Sequence, residues 1–102
     1  MSDATTFLPV APKWWASNFG GMVVYGAVAS RSQSRLLRLG FAAAVALHVG
    51  ESIYAYRRAR AAGFEDSAPR WALQTLGVGF PSLLALTEVI ESRVKEPAPA
   101  TA

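Results

Sequence analysis

Apolar positions in this chain come in three blocks, separated by short stretches in which the charges collect. Charged residues fall in 31 to 38, 57 to 70 and 88 to 96, with Asp3 and Lys13 near the start, and the intervals between them are nearly uncharged. Within each block the apolar residues run all round a helix instead of forming one stripe, which is the pattern of a helix whose solvent is not water. The blocks predict helices at about 14 to 30, 36 to 58 and 70 to 88, lengths suited to a hydrocarbon core of ~30 Å at 1.5 Å per residue. The expected fold class is an all-α membrane protein: one domain over residues 1 to 102, a small bundle of three transmembrane helices, multi-pass in an inner or plasma membrane. The ends at 1 to 11 and 94 to 102 carry no apolar period and are expected as flexible tails.

Start and stop signals refine the blocks. Pro12 suits a first helical position, and Lys13-Trp14-Trp15 is an interfacial anchor of a snorkelling cation beside two amphipathic rings. Ser34 is placed to cap the second helix. Gly63 is a candidate left-handed C-cap, with Phe64 set for the hydrophobic contact that accompanies one. Ser67 followed by Pro69 marks the third helix start, and Gly79 with Pro81 predicts a kink within it.

At 102 residues with 52% hydrophobic side chains, bulk composition leaves the class open, and the distribution of charge decides it. The net charge of +3 comes from basic residues that border apolar runs, which fits anionic headgroups and carries no nucleic-acid signature. With no Cys there is neither a disulfide nor a thiolate metal site. Three passes put Trp14, Trp15, Tyr54, Tyr56 and Trp71 at one membrane face as an aromatic belt. The same topology sets Lys13, Arg57, Arg58, Arg60 and Arg70 against Arg31, Arg35, Arg38, Arg93 and Lys95, a balance that leaves orientation open. It also predicts Glu88 or Glu91 near Arg31, Arg35 or Arg38.

The candidate chemistry lies in the second block, where His48 and Glu51 interrupt an apolar run. His48, Glu51, Ser52 and Ala55 share a helical face, and charge inside a span usually faces protein with a hydrogen-bond partner. Asn18 in the first block and Gln74 and Thr75 in the third are the polar groups able to oppose them, beside small residues that permit close helix approach. Structural hydrogen bonding, contact with a lipid headgroup or partner subunit, and proton handling or acid–base work on a lipid are all open to His48 and Glu51. One His and one core carboxylate leave a metal site short of ligands. No phosphate-binding loop, dinucleotide fingerprint, nucleophile triad or zinc motif is present, so neither a catalytic site nor a cofactor is expected.

His48-Val49-Gly50-Glu51-Ser52-Ile53-Tyr54-Ala55, then Gly63, then Trp71-x-Leu73-Gln74-Thr75-x-x-x-Gly79-x-x-Ser82-Leu83 resembles the transmembrane protein 254 family, small polytopic proteins of unknown function. The resemblance covers residues 47 to 83; over 1 to 46 no family motif is legible, and Pro81 departs from the family pattern. It implies a fold and no chemistry. The Ala- and Arg-rich usage is similar to that of actinobacterial membrane proteins, among which small accessory subunits accompany Mce-type lipid importers. Three short helices can hardly enclose a transport path but can brace a larger permease. The expected role is a non-catalytic accessory or scaffold subunit of a larger membrane complex, with a lipid importer and membrane lipids as partners; the alternative is a small intramembrane lipid-modifying or proton-handling protein using His48 and Glu51.

Overall fold

A computed structural model describes residues 6–95; of the tails expected at 1 to 11 and 94 to 102, residues 1–5 and 96–102 lie outside the described residues. All regular structure among the described residues is helical. The first helix, α1, covers residues 12–31 in three pieces: Pro12–Trp14, a π turn at Trp15–Phe19, and Gly20–Arg31. Then come α2 at Arg35–Ala61, α3 at Ala68–Val78 and α4 at Phe80–Lys95.

The first two helices form an antiparallel pair. Ser34 ends the connecting link as predicted, its hydroxyl accepting from the Leu37 N–H at 3.2 Å. Along the pair, Tyr25 and Phe41 meet edge to face with centroids 5.3 Å apart, and the bare Cα of Gly26 leaves the room that the Phe41 ring occupies. α2 stops at a Schellman motif: Gly63 takes φ +88°, its N–H bonds the Arg60 carbonyl at 3.0 Å, and the Phe64 N–H reaches back to Ala59 at 2.8 Å. Phe64 is itself buried, which supplies the hydrophobic half of the motif.

The third block departs from the single helix predicted at 70 to 88. It is a hairpin: α3 ends at Val78, Gly79 takes φ +76° and ψ −133°, and α4 returns along α3. Only glycine adopts such a backbone without a steric penalty, so the reversal is encoded by Gly79. Pro81 falls in the first turn of α4, where a missing N–H breaks no helical bond. The two arms are joined by Ser82, whose hydroxyl receives bonds from Gln74 at 3.1 Å and Thr75 at 2.8 Å. Their shared core, buried with the end of α2, comprises Ala55, Ala59, Phe64, Ala68, Trp71, Ala85, Leu86 and Val89.

That reversal moves the C-terminal end of the helical region to the other end of the molecule. The Arg93 guanidinium stacks over Phe64 at 5.5 Å, and Glu88 borders a cleft with Leu8, Val10 and Trp14. The expected neighbourhood of Glu88 or Glu91 with Arg31, Arg35 or Arg38 is therefore corrected: a straight span would have carried the glutamates there, and the hairpin carries them back.

Residues 6–11, expected as part of a loose tail, instead lie as an extended strap along α3. The Thr6 carbonyl accepts from the Trp71 indole at 2.7 Å and from the Ser67 hydroxyl at 3.0 Å. Further along, Gln74 clasps the strap at both groups: Oε1 accepts from Val10 N–H at 2.9 Å and Nε2 donates to the Leu8 carbonyl at 3.2 Å. An edge-to-face contact of Phe7 with Trp71, centroids 4.9 Å apart, closes the attachment.

Among the described residues one helix, Arg35–Ala61, is long and apolar enough by itself to cross a membrane, and none of its most apolar stretch is buried within the chain. At 27 residues it reaches ~40 Å, whereas the 11 residues of α3 reach only ~16 Å, about half of a hydrocarbon core.

Candidate functional site

The hairpin turn brings the polar residues of three helices together. A helix leaves its last carbonyls without intrahelical partners, and in a dry surrounding each needs a donor from elsewhere. α3 ends in the middle of the molecule, beside α1 and α2, and its donors come from those helices. Asn18 Nδ2 donates to the Val78 carbonyl at 2.8 Å, and His48 Nδ1 donates to the Leu76 carbonyl at 2.8 Å. One turn earlier the Ser52 hydroxyl donates to the Ala72 carbonyl at 2.8 Å. Because a carbonyl only accepts, the proton sits on His48 Nδ1, and a neutral ring presents Nε2 as an acceptor.

Local sequence explains how these groups arrive. Ser52 lies four residues after His48 on α2, so both meet α3 on one face. Asn18 lies in the π turn, where the Gly20 N–H reaches the Trp15 carbonyl five residues back. Such wider turns re-aim side chains and occur at functional positions. Beside it the outer edge of the Trp15 ring lies against Gly77, where a Cβ would collide with it.

Glu51 is the exception. It stands against the turn itself: a Cβ placed on Gly79 would lie 3.3 Å from Glu51 Oε1, 3.3 Å from His48 Nε2 and 3.2 Å from His48 Cε1. Its carboxyl has no hydrogen-bond or ion-pair partner among the described residues, while Asn18, His48 and Ser52 each have one. On its other side Glu51 bounds a shallow apolar groove on the outer face of α2, formed with Ala43, Ala46, Leu47, Gly50 and Tyr54. Glu51 thus lies between the hairpin turn and the outer groove of α2.

Of the polar residues singled out in the sequence, Asn18, His48, Glu51 and Ser52 converge on the turn. Gln74 and Thr75 do not oppose them; they occupy the opposite face of α3, with Ser82 and the strap. Sequence reasoning missed the true partners, the α3 carbonyls, because a backbone acceptor leaves no mark in residue type. Among the aromatic anchors, Trp14 is half exposed beside Lys13 at 5.4 Å, Tyr54 accepts from Arg58 at 3.0 Å, and Tyr56 lies under Arg60 at 5.9 Å. Trp71 is corrected from anchor to core: it is wholly buried, and its indole N–H holds the strap.

A family model described as "Transmembrane protein 254" matches residues 3–88, most of the chain. The chain belongs to that family. The transmembrane protein 254 match reaches well upstream of the motifs at 47 to 83 and takes in the strap and α1. It makes the chain a membrane protein with transmembrane helix, in keeping with the apolar α2. Searches of curated proteins and of solved structures find no match to this member of the family.

Proposed function

We propose that this protein is a non-catalytic accessory or scaffold subunit of a larger membrane complex, multi-pass in an inner or plasma membrane. In the arrangement that the fold favours over three crossings, α1 and α2 cross, and α3 and α4 enter and leave by one face as a re-entrant hairpin. This puts Lys13, Arg57, Arg58, Arg60, Arg70, Arg93 and Lys95 on one side against Arg31, Arg35 and Arg38 on the other. The tally then favours the strap, the 62–67 loop and the end of α4 on the cytoplasmic side.

The observation that carries the subunit reading is Glu51. A polar group in the hydrocarbon region seeks a donor, and this chain spends its donors on the α3 carbonyls. A neighbouring helix seated in the groove at Gly50 would come close enough to supply one, since small residues let backbones approach. The permease of an Mce-type lipid importer is the most concrete partner; it draws its support from residue usage and size. The alternative, proton handling or lipid chemistry by His48 and Glu51, has in its favour only that Glu51 Oε1 and His48 Nε2 flank the same point at Gly79.

Affinity isolation of the tagged chain from native membranes separates the readings. Under the subunit reading Glu51→Gln keeps assembly and transport, because an amide still hydrogen-bonds. Glu51→Leu strands the partner's donor and weakens assembly by about 1–3 kcal/mol. A Gln variant that assembles fully but is inactive would overturn the reading in favour of proton chemistry. A Leu variant that assembles as well as the unaltered chain removes its basis.

A further inference from the structure

Because the hairpin fills only one half of the thickness, the space between α1 and α2 above its tip has no third helix in it. What remains is an apolar cleft of about 390 Å³, open to the side, walled by Phe19, Met22 and Val23 of α1 and by Val45 of α2. Leu76 and His48 form its floor, and the contact of Phe41 with Gly26 narrows its upper end. Beyond that end stand Arg31, Arg35 and Arg38. Among the described residues every acidic side chain except Glu51 (Glu65, Asp66, Glu88 and Glu91) belongs to the 62–67 loop or to α4, at the other end of the molecule. Among the described residues the end above the cleft is therefore purely cationic.

Arg38 is the arginine aligned with the cleft. It lies three residues before Phe41 and seven before Val45, hence on the same face of α2. Its Nε donates to the Ser32 carbonyl at 3.0 Å, which ties the exposed guanidinium to the 32–34 link. From Arg38 down to His48 is ~15 Å along the helix, half of a ~30 Å hydrocarbon core.

We infer that the cleft is a binding site for an anionic phospholipid: one acyl chain lies between α1 and α2 down to Leu76, and the phosphate is held by Arg38 with Arg31 and Arg35. At about 390 Å³ the cleft is too small for a helical segment about 10 Å across, and its open side is available to the bilayer. Apolar walls select a hydrocarbon chain, and the cationic end selects a negative headgroup over a zwitterionic one. This inference rests on the membrane setting given by the family. It is independent of Glu51 and of any partner subunit.

The test is native mass spectrometry of the detergent-purified chain with equal amounts of phosphatidylglycerol and phosphatidylcholine of the same acyl composition. Preferential retention of one phosphatidylglycerol is expected, falling roughly fivefold with Arg38→Gln, the equivalent of about 1 kcal/mol for one arginine near a charged surface. Val45→Trp, which fills the cleft, is expected to lower retention of either lipid, and its circular dichroism shows whether the helices persist. Arg38→Gln lies on the exposed surface and keeps the test decisive if the Trp variant does not fold. Equal retention of the two lipids, or phosphatidylglycerol binding unchanged by Arg38→Gln, overturns the inference. Binding unchanged in a folded Val45→Trp overturns the placement of the chain in the cleft.

Discussion

Gly79→Ala tests the hairpin at the residue that makes it. Two costs are expected at this position, and the structure separates them. The first is conformational: φ +76° with ψ −133° is a backbone that an L side chain adopts only with about 1–3 kcal/mol of strain. The second is steric, because the new methyl would sit 3.2 Å from His48 Cε1 and 3.3 Å from Glu51 Oε1, tighter than ordinary contact. Moving the His48 ring away stretches its 2.8 Å bond to Leu76, and weakening that bond adds about 1 kcal/mol. Gly63→Ala is the control, since Gly63 also has positive φ, +88°, yet nothing lies within 4 Å of its would-be Cβ. Folding equilibria of both variants, followed by tryptophan fluorescence during titration of mixed micelles with dodecyl sulfate, should place Gly79→Ala about 2–4 kcal/mol below the parent. Gly63→Ala should fall by about 1 kcal/mol, the left-handed penalty alone. Equal losses in the two variants would refute the claim that His48 and Glu51 brace the turn. A Gly79→Ala protein as stable as its parent would refute the hairpin.

Two further predictions follow from the same geometry. Asn18→Leu leaves the Val78 carbonyl without its donor and should cost about 1 kcal/mol in the same titration, the usual worth of an interhelical hydrogen bond in a membrane, whereas Ser17→Ala, which removes only the exposed 3.3 Å bond to Asn18 Oδ1, should cost clearly less. For topology, single cysteines in this cysteine-free chain at Ser32, Asp66 and Ser92 should label with an impermeant maleimide so that Asp66 and Ser92 respond from one side and Ser32 from the other. Three crossings require Ser92 to respond with Ser32, and that pattern would sink the re-entrant reading.

The parts of the fold legible in the sequence were those set by neighbours in the chain. Ser34, Gly63 with Phe64, and Pro69 each act within a few residues of themselves, so the bounds of α2 and the start of α3 could be read directly. Gly79 and Pro81 were legible as a disturbance but not as a reversal. Whether a chain bends or doubles back depends on what the two arms bury, here Trp71 against Leu86 and Val89, and that pairing has no local signature. The strap was illegible for a related reason: residues 6–11 have no apolar period because they are held through their backbone, by the side chains of Ser67, Trp71 and Gln74. Residue type did single out His48, Glu51, Ser52 and Asn18, which cluster at the turn, since polar groups in an apolar run need a reason. It misassigned their counterparts, and it sent Trp71 to the interface on side-chain type alone.

The hairpin also explains where the polar residues sit along α1 and α2. A helix that crosses a membrane completely exposes its end groups to water, which satisfies them without help. α3 stops after ~16 Å beside α1 and α2; the Gly79 N–H meets the Thr75 carbonyl, and the Leu76 and Val78 carbonyls are met by side chains of the neighbouring helices. His48 and Asn18 answer that need, which accounts for a histidine in the apolar stretch of α2 and for a π turn in α1 that delivers the asparagine. Glu51 is not accounted for by the same rule, because an ionised carboxylate accepts and cannot donate to a carbonyl. The N-terminus of α4, next to Gly79, presents the positive end of a helix dipole to it, a favourable but incomplete match. Its acceptors have no donor among the described residues, and on the proposed subunit reading a partner seated in the Gly50 groove brings one. A transmembrane helix carrying an amide or a cation at mid-depth has the chemistry to supply it.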